Sequence, residues 1–347
     1  MTLTTPRHLR TLLAFALIVV LALALAACGG DSDEESGGGA STGSESAQGE
    51  GAAGGGAAEA PTGTLIQSNS DNAKTTLTIG SKNFTEQKVL GEVYAQALEA
   101  AGYTVEKELN LGDEQTALKS LKSGAISAYP EYTGTALLSF FQVKTPDLPK
   151  DPTEAYDQVK ADFEKQGIEA LPPTPFTSSN EVAVTQETAK KYGLTNISDL
   201  AKVAGELTLY GSPECRQRLD CLLGLQQTYG LKFKKFTPVD VSQRSTVLTG
   251  GQADVSIVFT TDPQNKREKF VLLKDDKGIF PPYNSTLLVT KKVADEAGPD
   301  MAATIDRVNA QLTAANVQEL NARVDLDKET PEDAAAAYLT QFGFVSK

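Results

Sequence analysis

The sequence predicts an α/β fold of two lobes that face each other across a cleft. Three observations indicate it. Short apolar strand-like segments alternate with helical segments from residue 77 onward, a helix–glycine–strand pattern occurs twice, and the 347 residues suffice for one or two domains with a sizeable core. Such alternation favours open sheets, which bind ligands at the carboxyl ends of their strands.

Apolar spacing places the elements in chain order. Short apolar runs predict strands, and apolar positions three and four residues apart, closed by glycine, predict helices. The first part of the chain holds strands 77–79, 103–105 and 125–129 with helices 89–101, 113–123 and 153–166. The second holds strands 182–185, 206–210 and 253–259 with helices 186–192 and 215–229, before strand 285–290 and the final helices.

The repeated pattern predicts where the two lobes meet. Leu121 and Leu248 each begin a Leu-x-x-Gly segment, and an aromatic residue follows eleven positions later, Tyr132 in the first copy and Phe259 in the second. Each aromatic residue comes just past the carboxyl end of a predicted strand and precedes a threonine. We therefore expect one aromatic ring from each lobe in a shared cleft. Chance matching of a common pattern is the alternative.

The N-terminus has the pattern of an export signal. Arg7 and Arg10 precede an apolar run at 12–27, which ends in small residues directly before Cys28. The run of about 16 residues is shorter than the roughly 20 that a spanning helix needs, although a plain membrane anchor is the alternative. The cysteine after small residues resembles a bacterial lipobox. That resemblance implies that signal 1–27 is cleaved and that Cys28 carries lipid.

Composition separates a tether from a soluble body. Residues 28–74 are rich in glycine, serine, alanine and acids and have few large apolar side chains, so we expect a flexible low-complexity tether. The whole chain has a formal net charge of −13, and residues 75–347 account for −8 of it (29 basic and 37 acidic residues). This balance argues against broad electrostatic binding to nucleic acid.

Histidine and cysteine usage limits the chemistry. The single histidine, His8, lies in the predicted signal, so the mature protein has no Ser-His-Asp, Cys-His or imidazole–zinc site. We expect no metal, no cofactor and no enzymatic activity; a carboxylate-based hydrolase is the less favoured alternative. Cys215 and Cys221 form an even pair outside the cytoplasm, which predicts a disulfide, with two free thiols as the alternative.

Five sequence motifs identify the body with a known family. They are residues 80–87 (GSKNFTEQ), 131–135 (EYTGT), 259–262 (FTTD), 280–283 (FPPY), and Arg218-x-Asp220 followed by Gly224-Leu225. In order and spacing, over about 77–345, they resemble the osmoprotectant-binding lipoproteins of ABC importers, which bind glycine betaine, choline or other quaternary amines. Cys221 stands where this family usually has glycine.

The resemblance implies a two-lobe periplasmic-binding-protein fold of type II, with a hinge and a ligand cleft between the lobes. Lobe 1 is expected to be discontinuous, from 75–176 and 284–347, and lobe 2 to span 177–283. The hinge strands are expected near 174–181 and 280–285, where the chain crosses between the lobes. Hinge closure around the ligand is the motion that such a fold uses.

The resemblance also implies the roles of seven residues. The positions of Lys82, Thr135 and Arg218 contact a ligand carboxylate in the betaine-binding members. The positions of Tyr132, Asn180, Phe259 and Tyr283 form a cage around the quaternary ammonium, which has no N–H donor and is held by aromatic faces. The cage positions are usually all tyrosine. Here Phe259 keeps the ring without the hydroxyl, and Asn180 loses the ring.

Less specific roles stay open for these residues. Lys82 could instead face solvent, and Arg218 could pair with Asp220 or Glu214. The tyrosines could pack in the core. Asn180, with Glu181 beside it, has the alternative of accepting a hydrogen bond from a ligand that carries a donor.

The resemblance implies an extracytoplasmic solute-binding protein. We expect a monomer, tethered to the outer face of the cell membrane by lipid on Cys28, that delivers a glycine betaine-like zwitterion to an ABC permease. A receptor for another zwitterionic amino-acid derivative and a sensor on the same fold are the alternatives, because the ligand site of each would look alike.

Overall fold

A computed structural model describes residues 64–346, and its strands form two five-stranded sheets. Sheet 1 has the order β2-β1-β3-β10-β4, and sheet 2 has the order β7-β6-β8-β5-β9. The strands are β1 Thr76–Gly80, β2 Thr104–Glu108, β3 Ala128–Tyr132, β4 Ile168–Ala170, β5 Asn180–Val184, β6 Thr208–Gly211, β7 Lys235–Pro238, β8 Val255–Phe259, β9 Val271–Leu273 and β10 Ser285–Thr290.

Helices cover both sheets, as expected for an α/β protein. They are α1 Thr85–Ala100, α2 Glu114–Ser123, α3 Thr133–Thr135, α4 Pro152–Glu164, α5 Gln186–Tyr192, α6 Leu222–Gln227, α7 Thr246–Thr249, α8 Gln264–Arg267, α9 Lys291–Ala297, α10 Pro299–Asn309, α11 Ala314–Asp325 and α12 Pro331–Gln341. We call sheet 1 with α1–α4 and α9–α12 the first lobe, and sheet 2 with α5–α8 the second lobe.

The two sheets have the same topology. In sheet 1, β1 is parallel to β2 and β3, and β10 is antiparallel to β3 and β4. In sheet 2, β6 is parallel to β7 and β8, and β5 is antiparallel to β8 and β9. Strands β3 and β8 therefore occupy equivalent central positions, and their carboxyl ends are equivalent binding edges.

The predicted strand at 125–129 begins and ends three residues too early. Gly124 closes α2 in the left-handed conformation with φ of 75°. The chain then continues through Ser127, whose backbone N–H donates to Thr78 O at 2.7 Å, before β3 begins at Ala128. Tyr132 is consequently the last residue of its strand, as Phe259 is of β8.

The predicted helix at 215–229 is wrong over its first half. A 3₁₀ turn at Pro213–Gln217 ends at Arg218, whose backbone is extended, and helix α6 begins only at Leu222. A Cys215–Cys221 disulfide joins the two ends of the intervening loop. The loop folds back on α6 so closely that a Cβ at Gly224 would lie 1.7 Å from Leu219 O. Arg218 is therefore presented from a loop.

Each lobe has its own apolar core. In the first lobe, α1 packs between sheet 1 and helices α10–α12, and Val93, Tyr94 and Leu98 are fully buried there. In the second lobe, Leu209 and Leu225 lie in a separate cluster. Burial of such side chains contributes about 1.5–3 kcal/mol each.

Two adjacent crossings connect the lobes. Thr177 and Asn284 form an isolated antiparallel bridge, with the Ser178 N–H donating to Tyr283 O at 3.0 Å and the Thr174 N–H to Ser285 O at 2.8 Å. These paired segments coincide with the predicted hinge segments, and the hinge motion itself stays a prediction.

The end of the predicted tether packs on the first lobe. Residues Ser70–Lys74 form a 3₁₀ helix that Asn69 caps, and Ile66 is buried with its N–H donating to Phe344 O at 2.9 Å. The Asn69 N–H and Asn72 Nδ2 also donate to Ala101 O, at 3.0 Å and 2.9 Å, and add to these contacts. The signal 1–27 and Cys28 lie outside the described residues. Within residues 64–346, no helix is both long and apolar enough to cross a bilayer.

Candidate functional site

A cavity lies between the two sheets, at the carboxyl ends of their parallel strands. All seven residues predicted to contact a ligand line it: Lys82, Tyr132, Thr135, Asn180, Arg218, Phe259 and Tyr283. Tyr132 and Phe259 reach it from the ends of β3 and β8, as the repeated pattern predicts. The structure thus brings together residues that are up to 201 positions apart in the chain.

The Tyr132 side of the cavity carries a buried ion pair. Lys82 bonds the fully buried Glu131, and its Nζ lies 4.6 Å from the centre of the Tyr132 ring. Glu131 also accepts hydrogen bonds from the Tyr132 N–H at 2.8 Å and from the Tyr129 hydroxyl at 3.1 Å. Burial raises the pKa of Glu131, and Lys82 opposes that effect. Lys82 therefore has a carboxylate partner within the protein.

The Tyr132 hydroxyl has its own acceptor. It donates to Glu86 Oε1 at 2.6 Å, and Glu86 lies buried in the first turn of α1. Burial, followed by the charge of Glu86, raises the pKa of Tyr132, so the phenol stays neutral and keeps donating. This bond fixes the ring edge, while Lys82 lies over one face of the ring.

The Phe259 side is built differently. Asp262 Oδ2 accepts from the Phe259 N–H at 2.9 Å and closes the turn after β8. Asp262 also pairs with buried Arg244, whose guanidinium carbon lies 4.5 Å from the centre of the Phe259 ring. Arg244 does not line this cavity. Phe259 therefore presents a ring supported from behind by a cation.

Tyr283 forms a third wall, and Gly134 makes room for it. A Cβ on Gly134 would lie 2.6 Å from the Tyr283 ring, so only glycine permits this contact. The Tyr283 hydroxyl donates to Asp220 Oδ2 at 2.5 Å. Burial and the charge of Asp220 raise the pKa of Tyr283, which stays a neutral donor.

Asp220 is the centre of the polar wall. It is fully buried and accepts from Arg218 Nε at 2.8 Å, Arg218 Nη2 at 2.6 Å and Asn180 Nδ2 at 2.9 Å. Burial disfavours its charge, but Arg218 and the hydrogen bonds outweigh that effect and hold the pKa of Asp220 below its usual value. Arg218 Nη1 also lies 3.1 Å from Glu114. Both cations of the cavity are thus already paired.

The amide nitrogen of Asn180 donates two hydrogen bonds to Asp220. One goes to the carboxylate and the other, at 3.2 Å, to the backbone oxygen. This bonding orients the amide so that its oxygen is the atom left to accept. Glu181, the next residue of β5, does not line the cavity. Alternation along the strand places it on the other face, so the alternative that Glu181 assists Asn180 is wrong.

Two further aromatic residues, Phe84 and Tyr210, line the cavity without having been predicted as site residues. The Phe84 ring stacks on Tyr132 with centres 6.3 Å apart and lies 5.2 Å from the Phe259 ring. Phe84 immediately precedes α1, and Tyr210 lies near the carboxyl end of β6. The strand-end rule that indicated Tyr132 and Phe259 also applies to them.

Chemically, the cavity combines ring faces with neutralised charges. Phe84, Tyr132, Tyr210, Phe259 and Tyr283 supply aromatic surface. A cation over such faces gains about 0.5–2 kcal/mol per ring, depending on desolvation. Carboxylates offset the two lining cations, so the site suits a ligand with a positive group.

Comparison with known proteins gives one family. The family described as the substrate binding domain of ABC-type glycine betaine transport systems matches residues 75–341. A glycine-betaine-binding protein of Pseudomonas aeruginosa is 35% identical over 277 residues, covering 77% of this chain and 88% of the relative. A carnitine transport binding protein of Listeria monocytogenes is 29% identical over 272 residues, covering 77% and 87%.

A solved structure agrees with these relatives. The crystal structure of a glycine betaine/carnitine/choline ABC transporter protein is 25% identical, has a TM-score of 0.61, and covers 77% of this chain and 99% of the solved one. The two sheets with a cavity between them are thus the two-lobe fold of periplasmic solute-binding proteins.

Proposed function

Because the chain belongs to the family of substrate-binding domains of ABC-type glycine betaine transport systems, we propose that it binds a quaternary-amine zwitterion in the cavity between its lobes and passes it to a permease. Extracytoplasmic substrate binding is the function of this family. Glycine betaine and carnitine, the ligands in the names of its relatives, are the first candidates.

The observation that carries the proposal is the convergence of aromatic rings from both lobes on one cavity. A quaternary ammonium cannot donate a hydrogen bond, so ring faces are the groups that hold it. Phe84 supplies a further ring beside Tyr132 and Phe259. Tyr283 completes the wall on the side of Asp220.

The carboxylate half is proposed to involve Lys82, Thr135 and Arg218. Each lines the cavity, and Arg is suited to bidentate carboxylate binding. The ligand carboxylate has to share Arg218 with Asp220 and Glu114 and to share Lys82 with Glu131. This competition predicts weaker carboxylate binding than free cations would give.

Asn180 favours a second candidate ligand. Its amide oxygen is oriented to accept a hydrogen bond, which a fully methylated ammonium cannot donate. A zwitterionic amino-acid derivative with an N–H or O–H group would use this acceptor. The two candidates differ in a measurable way, because only the second loses affinity when Asn180 loses its oxygen.

Attachment to the membrane is part of the same proposal. Lipid on Cys28 and the tether up to residue 63 would hold the lobes near the permease as a monomer. Cys28→Ala is expected to abolish lipid attachment, with ligand binding unchanged. A wild-type protein whose measured mass includes no lipid on Cys28 contradicts the anchor.

Titration calorimetry of the purified protein tests the ligand. Glycine betaine, carnitine, choline and ergothioneine are compared, with Tyr283→Ala and Tyr283→Phe as a matched pair. Tight binding of one zwitterion, weakened about tenfold in Tyr283→Ala and less in Tyr283→Phe, supports the proposal. Absence of binding to every compound contradicts it. Loss of uptake in a deletion strain separates transport from sensing.

A further inference from the structure

One face of helix α11 of the first lobe contacts the second lobe. Gln318, Asn321 and Asp325 are three and four residues apart, so they lie on the same face. Gln318 Nε2 donates to Thr260 O at 3.2 Å, and Asp325 Oδ2 accepts from Gln264 Nε2 at 3.1 Å. The partners of these side chains lie in the turn and the short helix that follow β8. We call this set of contacts the interlobe latch.

Asn321 is the buried centre of the latch, with 3% of its surface exposed. Its Nδ2 donates to Glu86 Oε2 at 2.9 Å in its own lobe and to Thr261 O at 3.3 Å in the other. Glu86 is the acceptor of the Tyr132 hydroxyl. Thr261 belongs to the turn that Asp262 closes beneath Phe259. One amide nitrogen therefore joins the supports of Tyr132 and Phe259.

We propose that Asn321 is a positioning residue that couples lobe closure to the placement of Tyr132 and Phe259. Because its two ends belong to different lobes, we expect the bond to Thr261 O to break when the lobes separate. The same nitrogen then orients Glu86, which holds the Tyr132 ring edge. Asn321 does not itself line the cavity, so it acts through other residues.

The expected consequence is a loss of affinity without a change of selectivity. Hydrogen bonds to charged groups are the stronger class, and their loss leaves Glu86 with fewer donors. Asn321→Leu is expected to lower the affinity for every ligand about tenfold. The ratio of the affinities for different ligands is expected to stay unchanged. A cavity residue such as Tyr283 would change that ratio instead.

Asn309 provides the matched control. It is also a buried asparagine of the first lobe, bonded to Tyr94 and to Pro172 O, with both partners in the same lobe. Asn309→Leu is expected to lower the melting temperature without lowering affinity. If Asn321→Leu behaves in the same way, its role is structural and the proposal is overturned.

Because the affinity readout rests on the proposed function, a ligand-free readout accompanies it. Small-angle X-ray scattering of the full protein without ligand is expected to give a larger radius of gyration for Asn321→Leu than for the wild type. Gln318→Ala, at an exposed position, repeats the test without risk to folding and is expected to show the same change at smaller size. Unchanged scattering in both variants overturns the latch, even if no tested compound binds.

Discussion

The two lobes end their central strands alike but distribute charge differently. Tyr132 and Phe259 each close the strand that lies between a parallel and an antiparallel neighbour. Each ring carries a cation on one face, Lys82 at 4.6 Å and Arg244 at 4.5 Å. Sheet topology therefore places the rings, whatever the identity of the charged side chains around them.

The difference in charge is clearest at the acidic residue next to the end of each central strand. In the first lobe Glu131 precedes Tyr132 and pairs across the ladder with Thr286. In the second lobe the equivalent position is Val258, and its cross-strand partner is Glu181. Glu131 is neutralised by a lysine at the cavity, whereas Glu181 faces the charge of another acid, Asp275. At this position of the two central strands, the first lobe carries an acid that is paired at the site, whereas the acid of the second lobe has no such partner and is only tolerated.

The largest effect is expected from Glu131→Gln. The change leaves Lys82 buried without its carboxylate, which costs about 3–5 kcal/mol of unfolding free energy for a broken buried pair. Urea unfolding followed by circular dichroism measures this loss. The affinity of the folded protein for a ligand carboxylate is expected to rise, because Lys82 lines the cavity and no longer shares its charge with Glu131.

Asp262→Asn is the matched change in the second lobe. Arg244 keeps its bond to Val241 O at 2.7 Å and its position over Phe259, so a smaller loss is expected. If Asp262→Asn destabilises the protein as much as Glu131→Gln, the contrast between the lobes is not one of charge compensation.

Gly134→Ala is expected to lower the free energy of unfolding by about 3 kcal/mol. This is the upper end of the usual cost of forcing an extra group into a packed site. The new Cβ would meet the Tyr283 ring at 2.6 Å. The equivalent position of the second lobe, two residues after Phe259, is Thr261, which has room for a side chain. Calorimetry is expected to show reduced ligand affinity. Gly205→Ala, with no atom within 4 Å of its Cβ, is the neutral control.

The sequence predicted the lobes and seven cavity positions because strand ends and family motifs are local signals. It missed the loop around Arg218, since the close approach of Leu219 to Gly224 is a tertiary contact. It offered the pairing of Arg218 with Asp220 only as an alternative, which the structure confirms, and it did not indicate the pairing of Lys82 with Glu131. The second partner of Arg218, Glu114, is 104 positions away, and only the assembled sheets bring the two together.

The charge contrast also predicts a stabilising change. Burial, followed by Asp275, raises the pKa of Glu181 to about 7. The folded state then binds more protons than the unfolded state between about pH 4.5 and 7, so stability falls as the pH rises through this range. Glu181→Gln removes the effect. We expect no gain near pH 4 and a gain of about 2 kcal/mol at pH 8, reduced for partial exposure from about 1.4 kcal/mol per pKa unit.

Urea unfolding at a series of pH values measures the Glu181 effect. The variant and the wild type are expected to diverge only above pH 5. A constant difference at every pH would show that the substitution acts through packing. Glu131→Gln, measured in parallel, is expected to have the opposite sign at pH 8.

The smallest effect concerns the one group that Tyr132 has and Phe259 lacks, the hydroxyl. Tyr132→Phe removes the 2.6 Å bond to Glu86, which costs about 1.5 kcal/mol of stability for a hydrogen bond to a charged acceptor. The ring face remains but loses the bond that holds its edge, so ligand affinity is expected to fall about tenfold, as in Asn321→Leu. Tyr156→Phe, which removes a hydroxyl bonded to Ala170 O away from the cavity, controls for the loss of a hydrogen bond alone. A tenfold loss of affinity in Tyr132→Phe but not in Tyr156→Phe would mean that the hydroxyl, through Glu86, holds the ring in its binding position. The two lobes would then differ in how they fix their aromatic rings as well as in charge.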